Sequence, residues 1–349
     1  MPEVVYDPKK IDFKKPGKHH YQVAFHLDST WGYSLLPLTV INGTRGGGAS
    51  TSPPAVVAFG GTHGNEYEGQ VSVKRLCQDL DAAALRGRVI LVPQLSPGAC
   101  TANLRVSPLD GVNMNRAFPG DPGGTISYRI ADFVKRYLFP QVHVVLDIHS
   151  GGMEGCFPFC SSFHPIPDPA QRAEIERVAR LFDTPFILVY SSDMTSGLLT
   201  DEAEAEGKIT IGGEFGYGES THVDGTRHAY EGIKNVLRHY GLLDGETVRV
   251  RDEGSEPTRL VDAANLDDYI PTPRDGVWEP VVRLGQRVEA GDLLGRLHDF
   301  SDHSAPALDI RTGRAGWVLM LHFRAMVAKG ATLYVVAREP GAEPAFLTS

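Results

Sequence analysis

Histidine and acidic residues follow three segments that the sequence predicts to be buried strands. His63 and Glu66 come after PAVVAFGG, His149 comes after HVVLDI, and Glu214 lies in KITIGGEFG. Ligands of open α/β sheets gather at the carboxyl ends of the strands, so we expect these side chains to meet. Two histidines and one carboxylate form a common zinc-binding set, which makes His63, Glu66 and His149 candidate ligands. Glu214, on a separate strand, is then the candidate general base.

Each of these residues also has an ordinary structural interpretation. An isolated H-x-x-E pattern is common, and Glu66 could simply favour the first turn of a helix. His149 could be a hydrogen-bonded core histidine, and Glu214 could be half of an ion pair. Asp147, two residues before His149, could lie in the sheet or orient a ligand. Their joint occurrence after successive predicted strands favours a catalytic site.

A polar loop lies between these motifs. The segment SPLDGVNMNRAFPG, residues 107–120, contains too many glycines, prolines and polar residues for a helix or strand. Arg116 offers a planar fork to a carboxylate and Asn115 an amide beside it, so the pair is a candidate clamp for a substrate carboxylate. Arg105, slightly upstream, could reach a substrate carbonyl oxygen and stabilise the oxyanion, or could be a surface arginine.

The elements that must position these residues alternate along the chain. After a predicted N-terminal hairpin, YQVAFHL with WGYSLLPLTVING, and a glycine-rich loop, TRGGGASTSPP, strand and helix patterns alternate up to about Leu243. This alternation predicts an α/β fold with a mostly parallel mixed sheet and helices on both faces.

The pattern changes after Leu243. A polar, irregular stretch, GETVRVRDEGSEPTRLVDAANLDD, precedes short valine-rich segments punctuated by glycine. These predict a small C-terminal all-β domain of two related halves over residues 244–349, after a first domain over residues 1–243. The shape resembles the barrel-like sandwich of biotinyl and lipoyl carrier domains, but the connecting stretch HDFSDHSAPALDI lacks their carrier lysine.

Composition excludes several classes of partner. The formal net charge of -9 argues against a nucleic-acid surface, and no segment has eighteen uninterrupted apolar residues that would cross a membrane. The N-terminal segment lacks an apolar core, so we expect a cytoplasmic protein. Its cysteines should then stay reduced, and a homo-oligomer is compatible with the sequence.

Four motifs taken together resemble a known family. GGTHGNE, DGVNMNRAFPG, LDIHSGG and GGEFGYG occur in this order, over residues 55–242, and are similar to those of the succinylglutamate desuccinylase and aspartoacylase family, within the zinc carboxypeptidase-like group. The resemblance implies one zinc ion per chain and these roles: zinc ligands His63, Glu66 and His149, substrate-carboxylate binding by Asn115 and Arg116, a further active-site arginine at Arg105, and the catalytic glutamate Glu214. Some members add a tyrosine from the β domain, which no motif in this sequence locates.

The sequence therefore predicts a zinc-dependent amidohydrolase that removes the acyl group from a small N-acyl amino acid. Within the family the acyl group and the amino acid vary while the metal site stays, so the substrate remains open. A carboxypeptidase that acts on peptide C-termini is an alternative, although a β domain over the site disfavours long substrates. A metal-binding module without turnover is a further alternative, which Glu214 and the arginine loop disfavour.

Overall fold

The computed structural model describes residues 1–28, 30–45 and 54–340, so most of the predicted glycine-rich loop lies outside the described residues. The described chain begins with strands that build a large sheet and one short strand, β7, that does not join it. These strands are β1 (Glu3–Val5), β2 (Gly17–His26), β3 (Tyr33–Asn42), β4 (Val56–Gly60), β5 (Arg88–Val92), β6 (Val144–Ile148), β7 (Gly155–Cys156), β8 (Cys160–Phe163), β9 (Phe186–Tyr190), β10 (Ile209–Glu214) and β11 (Arg259–Ala263).

The large sheet has ten strands in the order β1-β2-β3-β5-β4-β6-β10-β8-β9-β11. Its central neighbours β5, β4, β6 and β10 all run parallel, whereas β2, β3 and β8 contribute antiparallel pairings. Every residue of β4 and β6 is buried, as expected for central parallel strands that are covered on both faces. The predicted mixed α/β sheet is confirmed.

Helices cover both faces of this sheet. They are α1 (Tyr67–Asp79), α2 (Pro97–Ala102), α3 (Ile126–Phe133), α4 (Pro169–Arg180), α5 (Leu199–Ala205) and α6 (Val223–His239). Alternate residues of β4 point to opposite faces, so Val56 and Ala58 pack with α1, α4 and α6, whereas Val57 and Phe59 pack with α3 and α5. No helix in the described ranges is long and apolar enough to span a membrane.

The large sheet continues beyond Leu243. The expectation that the whole stretch after this residue is irregular is wrong for Arg259–Ala263, because these residues form β11 and pair in parallel with β9. The strand is short and carries polar residues, but Val261 and Ala263 are buried. A division of the chain after residue 243 therefore separates β11 from the sheet to which it belongs.

The C-terminal strands form two small sheets with antiparallel pairings. They are β12 (Tyr269–Pro271), β13 (Gly276–Pro280), β14 (Arg287–Val288), β15 (Leu293–His298), β16 (Leu308–Arg311), β17 (Gly316–His322), β18 (Met326–Val327) and β19 (Thr332–Ala337). One sheet has the order β12-β19-β17-β14 and the other β16-β15-β13-β18. Trp278, Leu297, Val318 and Tyr334 are buried in their common core.

Two features join these sheets to the rest of the chain. The short strand β7 pairs with β17, so a segment close to His149 belongs to the C-terminal sheet. A mixed core also packs Leu188 and Val261 of the large sheet against Met320 and Val335. The C-terminal strands therefore pack directly against β9 and β11 of the large sheet.

Candidate active site

The predicted site residues meet at the carboxyl edge of the large sheet. His63 and Glu66 follow β4, His149 follows β6, and Glu214 ends β10, and these three strands are parallel neighbours. A backbone bridge pairs His149 with Glu214. One cavity of about 280 Å³ is lined by all the predicted residues, namely His63, Glu66, Arg105, Asn115, Arg116, His149 and Glu214.

The candidate metal ligands converge on the carboxylate of Glu66. His63 Nδ1 lies 2.7 Å from Glu66 Oε1, and His149 Nδ1 lies 2.9 Å from Glu66 Oε2. The ligand atoms of the three residues all lie within 4.8 Å of one another. His63 and Glu66 are each 3% exposed, so the group is shielded from bulk water except through the cavity.

Oxygen atoms contact the second nitrogen of each histidine. His63 Nε2 lies 3.0 Å from Asn113 Oδ1, and His149 Nε2 lies 2.7 Å from Asp147 Oδ2. Such acceptors favour the tautomer with the proton on Nε2, so that the lone pair of Nδ1 is available on the side of Glu66. Asp147 is fixed in turn by the Thr62 hydroxyl, which donates to it at 2.6 Å. Asp147 thus lies in β6 and also orients His149.

Burial and charge shift the pKa values of these groups. Although burial opposes it, His63 and His149 hold the pKa of Glu66 well below its usual value. Burial lowers the pKa of His63. For His149 the burial effect is outweighed, because the carboxylates of Asp147 and Glu66 raise its pKa well above the usual value. Glu66 is therefore an ionised carboxylate that faces two imidazoles, as a metal ligand requires.

Glycines allow the backbone to bring His63 and Glu66 together. Gly61 has a φ of 67°, a conformation that glycine adopts readily. Gly64 lies in a turn in which the Glu66 N–H donates to the His63 carbonyl at 3.4 Å. A Cβ atom at Gly64 would lie 2.1 Å from the backbone of Ala99, so this glycine also permits close packing against α2. Glu66 is the N-cap residue of α1, but its side chain makes no cap hydrogen bond and faces the histidines.

Glu214 differs from Glu66 in its surroundings. Burial, together with the negative charge of Glu66, raises the pKa of Glu214 to about 8. Its Oε2 atom is buried and has no hydrogen-bond partner among the described residues, and no ion pair involves it there. A carboxyl group that binds a proton near neutral pH and has a free oxygen beside a cavity has the properties of a general base.

The polar loop brings Asn115 and Arg116 to the same cavity. Asn113 accepts the Asn115 backbone N–H at 2.9 Å, which starts a tight turn over Met114–Arg116. The Asn115 side chain accepts the backbone N–H of Leu199 at 2.9 Å, and its Nδ2 lies 3.3 Å from His149 Nε2. Arg116 donates to its neighbour's carbonyl at 2.6 Å and is otherwise exposed at the cavity.

Arg105 lies beside the candidate ligands. Its Nη1 atom is 3.0 Å from Glu66 Oε1, and 39% of its side chain is exposed. The interpretation of Arg105 as an ordinary surface arginine does not fit this position, because the residue lines the cavity and contacts Glu66. A cation here is placed to stabilise negative charge that develops next to the ligand set.

Several functional positions could not be found in the sequence. Asn113 orients His63, and Tyr269 of β12 lines the cavity with a buried hydroxyl that makes no well-shaped hydrogen bond to the described residues. Burial raises the pKa of the Tyr269 hydroxyl, so it stays a donor at neutral pH. Only the pairing of distant segments brings Tyr269 to the site, and no local motif marks it. Asn113 had a weak signal, since it lies in the same polar loop as Asn115.

Glu68 is a buried acidic residue close to the candidate ligands. It lies in the first turn of α1 and is fully buried. Its carboxylate accepts the Ser150 hydroxyl, and it accepts the His222 backbone N–H at 2.9 Å. A side chain at Gly216 would collide with this carboxylate. Glu68 therefore ties α1 to the loop after His149 from outside the cavity.

The fold and the site together define a class of protein. An α/β sheet that gathers two histidines, a carboxylate ligand and a separate buried carboxylate at its carboxyl edge is arranged as in metal-dependent hydrolases. Comparison with known proteins agrees with this class. Residues 52–240 match the succinylglutamate desuccinylase/aspartoacylase catalytic domain. The chain belongs to this family of acyl amino acid deacylases, which confirms the resemblance of its motifs.

Several known proteins are similar to this chain over nearly its full length. N-alpha-acetyl-L-2,4-diaminobutyric acid deacetylase of Halomonas elongata is 35% identical over 331 residues, 94% of this chain and 93% of that protein. A succinylglutamate desuccinylase/aspartoacylase from Rhodobacter sphaeroides has a similar structure, with a TM-score of 0.88 and 31% identity over 95% of this chain and 98% of that one. The product-bound structure of the ectoine utilization protein EutE (DoeB) from Ruegeria pomeroyi is also similar. Its TM-score is 0.86, with 31% identity over 94% of this chain and 97% of that one.

Proposed function

We propose that the chain is a zinc-dependent deacetylase that hydrolyses the amide bond of Nα-acetyl-L-2,4-diaminobutyrate. One observation carries the reaction class: the His63, Glu66 and His149 group and the partner-free oxygen of Glu214 line the same cavity. The names of the Halomonas elongata and Ruegeria pomeroyi relatives support the substrate and a place in ectoine use. One zinc ion per chain and a cytoplasmic location belong to the same proposal.

The ligand group fits zinc by its donor atoms and their orientation. Two Nδ1 atoms and one ionised carboxylate face a common point, and both Nε2 atoms have oxygen acceptors. With a metal ion bound, each imidazole would present the lone pair of Nδ1, while its Nε2–H donates to Asn113 or Asp147. His63, Glu66 and His149 would hold the zinc ion, and zinc would supply a Lewis acid that polarises the amide carbonyl and makes water more acidic.

Glu214 moves the protons of the reaction. Its free oxygen takes a proton from the attacking water, and the raised pKa lets the carboxyl group hold that proton at neutral pH. It then releases the proton to the nitrogen of the leaving amine as the C–N bond breaks. The bridge between Glu214 and His149 fixes the distance from this carboxylate to the ligand group.

The remaining polar residues bind and orient the substrate. Arg116 grips the α-carboxylate with its exposed guanidinium, and the Asn115 amide assists from the same turn. Arg105 stabilises the negative charge that develops on the carbonyl oxygen. Tyr269, whose hydroxyl lacks a partner among the described residues, donates a hydrogen bond to the substrate, and the C-terminal β domain takes part in the site in this way.

Metal analysis and a substrate panel test this function. Purified protein should contain one zinc ion per chain and should hydrolyse Nα-acetyl-L-2,4-diaminobutyrate faster than the Nγ-acetyl isomer, N-acetyl-L-aspartate or N-succinyl-L-glutamate. A chelator should abolish turnover, and added zinc should restore it. A blocked dipeptide in the same panel tests for carboxypeptidase activity. Hydrolysis of the dipeptide alone, or no hydrolysis across the panel, contradicts the proposal.

A further inference from the structure

The acidic residues that line the cavity differ in the contacts that their side chains make. Glu66 contacts both histidines, Asp147 contacts His149 and Thr62, and Glu214 is buried at the end of β10. Glu154 is the other acidic residue in the lining, and it is exposed. Its carboxylate makes no ion pair or hydrogen bond with any residue in the described ranges. It is therefore free to interact with a ligand.

The backbone holds Glu154 at a defined point of the cavity wall. Its N–H donates to the Gly151 carbonyl at 3.1 Å, and its carbonyl accepts the Phe323 N–H at 3.3 Å. The next residue begins β7, which pairs with β17 of the C-terminal sheet. A carboxylate on a fixed backbone loses less conformational freedom when a ligand binds, which favours a recognition role.

The charges of the cavity indicate which ligands it admits. Arg105 and Arg116 are the permanently charged cations among its lining residues. Arg105 already contacts Glu66, and Arg116 faces the α-carboxylate in the proposed function. A second carboxylate on the substrate finds no further lysine or arginine in this lining and meets the negative charge of Glu154. A side-chain ammonium group is attracted by the same charge.

We propose that Glu154 is a specificity-determining residue that accepts the protonated side-chain amine of the leaving amino acid. The inference rests on the deacylase function proposed above and adds the chemical class of the side chain. Amino acids with a short cationic side chain are favoured by attraction to Glu154, and acidic ones are rejected by repulsion. The same reaction chemistry thereby serves a different substrate from those of desuccinylases and aspartoacylases.

Kinetics of Glu154→Gln on two substrates of equal shape test this role. Nα-acetyl-L-2,4-diaminobutyrate carries an ammonium group where Nα-acetyl-L-norvaline carries a methyl group. The substitution should lower the ratio of kcat/KM for the diaminobutyrate substrate to kcat/KM for the norvaline substrate about tenfold, mainly through KM, as expected for one charge-assisted hydrogen bond. Glu154→Lys should lower this ratio further and raise kcat/KM for N-acetyl-L-aspartate.

Glu246→Gln is the matched control, because Glu246 is exposed and lies outside the cavity. In this variant the ratio of the two kcat/KM values should equal that of the wild type. An unchanged ratio in Glu154→Gln, with normal hydrolysis by the wild type, overturns the role of Glu154 and leaves the deacylase function standing. No hydrolysis of either substrate by the zinc-loaded wild type overturns that function, and the role of Glu154 with it.

Discussion

Among the described residues, two groups of histidine and carboxylate side chains each bring their ligand atoms within 4.8 Å of one another. His63, Glu66 and His149 form one group, and His164, Asp201 and Glu204 form the other. Both contain buried histidines whose second ring nitrogen contacts an oxygen, since His164 Nδ1 lies 3.1 Å from the Pro165 carbonyl. The distances between ligand atoms therefore do not separate the two groups.

Ligand type and space do separate them. The first group offers two imidazoles and one carboxylate, which is a common zinc-binding set, whereas the second offers one imidazole and two carboxylates. None of the second group lines the active-site cavity, whereas all of the first group does, together with the partner-free Glu214. The second group is a buried pair of His164 and Glu204, whose other oxygen accepts the Thr210 hydroxyl, and the first is the candidate metal site. We expect substitutions to affect metal binding and turnover in the first group and stability in the second.

Removal of a ligand from the first group should have the largest effect. His63→Ala should lose bound zinc and reduce turnover to background, because the two remaining ligand side chains no longer enclose the ion. Elemental analysis and the acetate-release assay measure both results. His19→Ala, half-buried in β2 and outside the cavity lining, is the control and should keep both. A His63→Ala protein with normal zinc content and turnover would remove this group from the mechanism.

Removal of the base should separate binding from chemistry. Glu214→Gln should keep one zinc ion per chain and lose about 10³-fold in kcat, since the amide cannot accept the proton of water. Metal content and kcat are measured on the same preparation. A kcat within a few-fold of the wild type would show that Glu214 is not the base.

Substitution of a residue that contacts a candidate ligand should weaken zinc binding without abolishing it. Asp147→Asn leaves His149 with a weaker acceptor at Nε2, so zinc should bind about 10- to 100-fold more weakly. Competition with a chromophoric chelator measures this change. Asp309→Asn, an exposed residue of β16, is the matched control. Equal zinc affinity in the two variants would refute a role for Asp147 in orienting His149.

The substrate clamp should act on KM. Arg116→Lys keeps the positive charge but loses the planar fork, so KM should rise about tenfold while kcat changes less. Arg136→Lys, which alters an exposed helix pair with Asp132, should leave both constants unchanged. A fall in kcat with constant KM would instead place Arg116 in the chemical step.

Substitution in the second group should affect turnover least. His164→Ala breaks a buried pair with Glu204, so the free energy of unfolding should fall by roughly 3 kcal/mol. Zinc content and kcat at 25 °C should stay at wild-type values. Denaturant unfolding and metal analysis test the two halves of this expectation. Loss of a zinc ion in this variant would show that the second group is also a metal site.

The sequence predicts the central strands and the ligand set for a clear physical reason. Buried parallel strands are continuous apolar runs, and the residues that follow them must gather at one edge of the sheet. That reasoning brings His63, Glu66, His149 and Glu214 together without knowledge of the strand order. The loop with Asn115 and Arg116 is recognisable because it is polar and long.

Other features depend on tertiary contacts that a local pattern does not contain. Asp147 and Asn113 matter through their distance from particular ring nitrogens. β11 is stable as a strand only because it pairs with β9, and Tyr269 reaches the cavity only because its sheet packs against the large one. The second histidine group shows the converse, since its position outside the cavity indicates a structural role.

The short strand β7 has a mechanical consequence for substrate entry. Shortly after His149 the chain passes into the C-terminal sheet, and the mixed core beneath it contains residues of both parts. The C-terminal strands cannot swing away as a hinged lid without breaking backbone hydrogen bonds to β7 and exposing that core. We therefore expect the mouth of the cavity to keep its width, so that the side chains at its rim limit the length of the molecules that reach the candidate ligands.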